Sequence, residues 1–124
     1  MQAMTDISTT IDDYIAAWNE GDDGRRRELV SRAFADDATY VDPLVSSEGP
    51  DGIAGMIGAV QQHYAGYRFE LAAGPDAHHD CVRFTWELKN PDGAHVATGI
   101  DFATVANDGR LRTVIGFLEQ PAAA

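Results

Sequence analysis

The apolar residues of this 124-residue chain change their period once, at Tyr67, and that change restricts its architecture more than any other feature. Before it they recur every three or four residues. Ile7, Ile11, Ile15 and Trp18 share one helical face with Tyr14 at its border; Asp6, Ser8 or Thr9 can cap the start, and Gly21 stands where the helix should stop. A second, shorter helix is predicted over 25–34, with Leu29, Val30, Ala33 and Phe34 inward. Its Arg25-Arg26-Arg27 run, flanked by Asp22, Asp23 and Glu28, reads as a solvated face. A short strand from Ala38 to Asp42 ends at Pro43, since the residue before a proline is biased to extended geometry. After a loop over 46–51, Ile53, Met56, Ile57, Val60 and Tyr64 return to helical spacing, with Pro50 near the start and Gly66 at the end.

From Tyr67 onward the period is two. Tyr67, Phe69 and Leu71 alternate, as do Val82, Phe84, Trp86 and Leu88 against Arg83, Thr85, Glu87 and Lys89. Turn signals at Asn90-Pro91-Asp92-Gly93 and Asn107-Asp108-Gly109 divide the rest into strands near 81–89, 95–106 and 110–119, an antiparallel meander. Helices first and strands afterwards predict an α+β domain, not an alternating βαβ one. Nothing repeats internally, and the only low-complexity segment is an alanine tail at 122–124, read as frayed.

Length fits one domain, 1–124, on a prior of roughly 100–200 residues per domain. A net charge of −11 disfavours nucleic acid and anionic membrane surfaces, both of which need a basic patch. Apolar residues at 44% support a packed core. No apolar run approaches the ~20 residues of a membrane span. Residues 1–10 lack a basic region followed by an apolar stretch, so no signal peptide is expected. The single cysteine, Cys81, fits a reducing compartment, and a cytoplasmic location is expected.

The strand beginning at His95 is apolar on both faces. One carries Val96, Thr98, Ile100, Phe102 and Thr104; the other carries Ala97, Gly99, Asp101, Ala103 and Val105. The first face, with Ile115 and Phe117 from the next strand, calls for a cover, and a homodimer is expected to provide it. The second sets one acid among small side chains, and Gly116 between Val114 and Leu118 leaves further space. A pocket is one reading of this pattern. A curved sheet with glycine bends and a hydrogen-bonded structural Asp101 is the other.

Three residues could carry chemistry: Asp42 at its strand end, Asp101, and Tyr14 on the border of the first helix. Asp42 could instead cap a turn, and Tyr14 could be a core residue with its hydroxyl satisfied at the surface. His78 and His79 fall in a predicted loop, and His63 and His95 are isolated. No helical His spacing suits a metal, no glycine-rich segment has the form of a phosphate loop, and Cys81 has no evident activating base. No metal or other cofactor is expected.

The stretch from Ala35 to Pro43, ADDATYVDP, and the preceding helix from Tyr14 through Trp18 to Asp22 resemble the ketosteroid isomerase and SnoaL-like branch of the nuclear transport factor 2-like superfamily. So does the segment from Ile100 through Asp101 and Phe102 to the turn Asp108-Gly109-Arg110. The resemblance runs from about Ile11 to Gln120. It implies a cone, a strongly curved, mixed but mostly antiparallel sheet wrapped around three helices, with a pocket between them. It also implies that Asp42 is a general base and that Tyr14 and Asp101 are oxyanion-hole donors. Trp18 and Phe34 would line the pocket from the first part of the chain. Phe84, Trp86, Ala97, Gly99, Val114, Gly116 and Leu118 would line it from the strands. Where the isomerases place a further tyrosine on the third helix, this chain has Ile57, so the supporting network is shortened.

The implied chemistry is proton abstraction next to a carbonyl of an apolar substrate. Ketosteroid isomerase is itself a standard example of two aspartates whose environments push their pKa values apart. Asp42 at a rim should stay charged, and Asp101 among apolar neighbours should keep its proton near neutral pH. Three functions fit: an isomerase or polyketide cyclase-like enzyme, a module that binds an apolar ligand without turnover, and a dimeric accessory protein of the same fold. Convergence of Tyr14, Asp42 and Asp101 on one cavity would favour the enzyme.

Overall fold

The computed structural model describes residues 6–119, so the alanine tail and residues 1–5 lie outside it. Three helices, α1 (Ile7–Asn19), α2 (Asp23–Ala33) and α3 (Gly49–His63), precede most of the sheet. The strands are β1 (Phe34–Val41), β2 (Ser46–Glu48), β3 (Arg68–His78), β4 (Cys81–Lys89), β5 (His95–Val105) and β6 (Leu111–Leu118). They form one sheet in the order β2-β1-β6-β5-β4-β3. Every neighbouring pair is antiparallel except β1 and β6, which makes the sheet mixed. Irregularities in four of those pairings bend the sheet, because an extra residue on one strand increases its local twist. No described helix is long and apolar enough to cross a membrane.

The helical periodicity places the core as expected. Ile11, Tyr14 and Trp18 of α1, Leu29 and Val30 of α2, and Ile53 and Ile57 of α3 are buried together against Phe84, Ala103 and Val114 of the sheet. The turn signals hold as well: Gly93 and Gly109 both adopt the left-handed backbone that a side chain would resist.

Local expectations differ from the structure in four places. Phe34 is not a helix residue; the chain leaves α2 there in extended geometry and β1 starts at once. The predicted loop over 46–51 contains β2 and the first residues of α3, because Ser46, Ser47 and Glu48 pair with Val41, Tyr40 and Thr39. β3 continues past Leu71 to His78 through two irregularities, so His78 lies on a strand and His79 alone takes the left-handed turn position.

The fourth difference is Arg26. Its flanking arginines are solvated, but Arg26 is 7% exposed. Its guanidinium donates to the carbonyls of Glu20 and Gly21 and to Gln61 Oε1 at 2.9 Å, and it pairs with Asp23. Gln61 in turn donates to the carbonyls of Trp18 and Glu20. The C-terminal carbonyls of α1 are thus satisfied by α2 and α3, as a helix end packed against neighbours requires. Arg26→Ala is expected to destabilise the fold by about 2–4 kcal/mol, since it removes a buried side chain and its four hydrogen bonds at once. Arg27→Ala, an exposed ion-pair change, should stay within about 0.5 kcal/mol, and urea unfolding of the two variants checks the contrast.

Candidate active site

Sheet and helices enclose a cavity of about 530 Å³ whose lining includes Tyr14, Asp42 and Asp101. The three side chains reach it from α1, from the turn after β1, and from the middle of β5. Phe34 and Phe84 pack their rings against Tyr14 at centroid distances of 5.7 and 5.2 Å, which sets the direction of the phenol. Tyr14 donates to Asp101 Oδ2 at 2.7 Å, joining α1 to β5. The other oxygen of Asp101, Oδ1, is buried without a hydrogen-bond partner.

Asp42 does cap a turn, and it also belongs to the site. Its Oδ1 accepts from the backbone N–H groups of Leu44 and Val45 at 2.8 and 2.9 Å, while its Oδ2 accepts from the Tyr40 hydroxyl at 2.6 Å. Gly116 separates the two aspartates. A Cβ at that position would come within 2.8 Å of Asp101 Oδ1 and 3.2 Å of Asp42 Cβ. The glycine therefore leaves room between the Asp101 carboxyl and the stem of Asp42.

Burial pushes the Asp101 carboxyl up from its ordinary 3.8 to about 6; the Tyr14 hydrogen bond and the Trp86 indole oppose that rise, and the charge of Asp42 adds to it. The direction is the one read from the sequence. The size is smaller than a proton held through neutrality requires, because the Tyr14 hydrogen bond and the nearby Trp86 indole favour the carboxylate. Tyr14 is raised well above its usual range by burial and by Asp101, and Tyr40 is raised by burial and by both acids. Both phenols remain donors at any physiological pH.

Of the pocket residues implied by the resemblance, Trp18, Trp86, Ala97, Gly116 and Leu118 line the cavity. Phe34, Phe84 and Val114 do not; they are buried in the core, and the two phenylalanines back the Tyr14 ring instead. Ile57 is likewise a core residue, with Val60, almost one helical turn further on, facing the cavity. Gly99 lies under the Trp86 ring, where a Cβ would collide with the indole at 2.1 Å. The glycine admits the cross-strand tryptophan and leaves no wall of its own.

Tyr40 and Phe69 are the main residues missed. Tyr40 precedes Asp42 by two positions, so a period of two should have placed both on one face. Phe69 packs between Trp18 and Trp86 in tilted and edge-on contacts at 5.2 Å from each, on a strand fixed to α1 by two hydrogen bonds of the Asn19 side chain. Among the described residues no group of three or more His, Cys, Asp or Glu side chains is arranged to hold a metal.

Residues 11–114 match the SnoaL-like domain, and the chain belongs to that family. A SnoaL-like family protein from Agrobacterium tumefaciens C58, proposed to be an isomerase, is 49% identical over 90% of this chain and 96% of its own, with a TM-score of 0.86. A protein of unknown function with a cystatin-like fold, from Methylobium petroleophilum, is 17% identical over 98% of this chain and 82% of its own, with a TM-score of 0.75. A proposed SnoaL-like polyketide cyclase from Jannaschia is 13% identical over 96% of this chain and 92% of its own, with a TM-score of 0.69. These last two show likeness of fold alone. The α+β, NTF2-like architecture read from the sequence is the one observed. No curated protein matches the chain.

The raised Asp101 carboxyl makes stability depend on pH in a definite direction. The native state holds this proton more tightly than the unfolded chain, so stability falls as pH rises from about 4 to about 6 and stays reduced above that. Asp101→Asn cannot ionise and is expected to raise Tm at pH 8, with a gain of up to about 3 kcal/mol. The gain should shrink toward pH 4, and thermal unfolding at the two pH values measures it.

Proposed function

We propose that this chain is an acid–base enzyme acting next to a carbonyl of an apolar substrate held in the cavity, as an isomerase or a polyketide cyclase-like enzyme. The observation that carries this reading is the pair of acids, Asp42 and Asp101, lining one largely apolar cavity on either side of Gly116, each bonded by a tyrosine. Asp42 takes the carbon-bound proton; two backbone N–H groups and Tyr40 hold it in place. Asp101 meets the carbonyl oxygen with Oδ1 and gives it a proton as the enol forms. A pKa near the working pH suits a group that must both hold and release a proton. Tyr14 supports Asp101 from behind. The isomerase activity proposed for the Agrobacterium relative accords with this chemistry.

Exchange of the α-protons of 2-tetralone in D₂O, followed by NMR, tests the reading. The wild-type protein should accelerate exchange, and Asp42→Asn should lose roughly 10²–10⁴-fold, the usual contribution of a general base. Asp101→Ala should weaken 2-naphthol binding about ten- to a hundredfold, whereas Asp42→Asn should leave it intact or tighter. Tight 2-naphthol binding without exchange would move the assignment to a module that binds an apolar ligand, or to an accessory protein of the same fold.

We also propose that a second copy of the chain covers the outer sheet face, making a homodimer. Val41, Ile115 and Phe102 follow one another across β1, β6 and β5, and Phe117 packs on Phe102; all four are exposed. Phe117, 55% exposed, also lines the cavity, so the cover would adjoin the site. An interface of roughly 800 Å² per partner would cover this row. Sedimentation should give twice the 13.4 kDa chain mass, and Ile115→Arg should return it to a monomer. The single free cysteine accords with a cytoplasmic location.

A further inference from the structure

Two buried side-chain polar atoms of the described residues have no hydrogen-bond partner, Trp18 Nε1 and Asp101 Oδ1, and both residues line the same cavity. An orphaned buried donor or acceptor costs free energy that a ligand can recover. The two flank one group. Asp101 holds the Tyr14 hydroxyl through Oδ2, and the Trp18 indole N–H faces the same hydroxyl without reaching hydrogen-bonding geometry, opposing the rise of the phenol. The Tyr14 proton is already committed to Asp101 at 2.7 Å. An indole N–H is donor only and does not titrate.

We infer that Trp18, not Tyr14, supplies the hydrogen bond that joins Asp101 at the ligand oxygen, so that one oxygen of the ligand sits between Trp18 Nε1 and Asp101 Oδ1. This rests on the cavity being the ligand site and not on turnover. A single oxygen can satisfy both orphans in either protonation state. A carbonyl oxygen accepts from Trp18 and from the protonated Asp101. An enol or phenol oxygen accepts from Trp18 and donates to the Asp101 carboxylate. When Asp42 takes the carbon-bound proton, the C–H electron pair becomes the enol double bond and the carbonyl π pair moves to oxygen. That oxygen takes the proton of Asp101 Oδ1. The Trp18 bond is present before and after the step, so Trp18 holds the oxygen while Asp101 changes state. The aromatic contacts of Trp18 with Phe69 and Tyr40, at 5.2 and 5.8 Å, fix the indole for that task.

The test compares 2-naphthol with naphthalene, which has the same apolar body without the oxygen. In protein labelled with ¹⁵N-tryptophan, 2-naphthol should move the Trp18 Nε1–H resonance, assigned by its loss in Trp18→Phe, and naphthalene should leave it nearly in place. Trp18→Phe should weaken 2-naphthol about three- to tenfold more than it weakens naphthalene, while Tyr14→Phe should cost 2-naphthol less than Trp18→Phe does. An unmoved resonance overturns the inference, and this measurement needs only the wild-type protein. Equal weakening of both probes by Trp18→Phe also overturns it, because the indole would then be a wall alone. A larger loss in Tyr14→Phe returns the oxygen to the tyrosine. Absence of 2-tetralone exchange alongside an oxygen-specific Trp18 shift would sink the enzyme and leave this contact standing.

Discussion

A carboxylate buried among apolar side chains at the middle of β5 is the constraint around which this molecule is arranged. Asp101 is 1% exposed, and an unpaired charge there would be costly. Tyr14 answers it from α1, across a separation of 87 residues, and that bond sets the height and rotation of the first helix against the sheet. Everything that fixes α1 therefore also tunes Asp101. Thr10 anchors its first turn on the Gly109 carbonyl, Asn19 ties its last turn to Phe69, and Arg26 with Gln61 closes its C-terminal carbonyls. The charged clamp under α2 and the acid in the cavity are two ends of one support.

Small residues divide the space in that support. Gly99 lets the Trp86 ring lie across β5, and Gly116 leaves the gap between Asp101 and Asp42. A methyl group at either would press on an indole or on a carboxylate, so these glycines are required by close approach and not by backbone conformation. The apolar body of the cavity comes from Trp18, Phe69 and Trp86, which meet in tilted and edge-on contacts, and its two acids are Asp42 and Asp101. A largely apolar cavity with few polar groups suits a ligand with a single reactive oxygen.

Two tyrosine-to-carboxylate bonds serve the cavity, and they have different roles. Tyr14 holds Asp101 in place and lowers its proton affinity against the effect of burial. Tyr40 does the positional work for Asp42 alongside two backbone donors. The third tyrosine that the resemblance placed on α3 is Ile57, buried in the core, and Tyr40 brings a hydroxyl to the site from β1 instead. That hydroxyl is bonded to Asp42, so the support around Tyr14 and Asp101 stays shortened.

Periodicity alone determined the helices, the meander and the inward and outward faces of β5, because side-chain direction repeats every 3.6 or 2 residues whatever the neighbours are. It placed Asp101, Gly116 and Ala97 on the inner face, and Val96, Phe102, Ile115 and Phe117 on the outer one. It could not place β2, since three polar residues form a strand only when β1 offers them partners. Nor could it tell Arg26 from Arg25 and Arg27, because the difference is which arginine meets the carbonyls at the end of another helix. Depth in the cavity was decided the same way. Phe84 and Trp86 share a strand face, yet one packs behind Tyr14 and the other lines the cavity. Period reports direction from a strand; how far the opposing helix stands from it is a property of the whole packed fold.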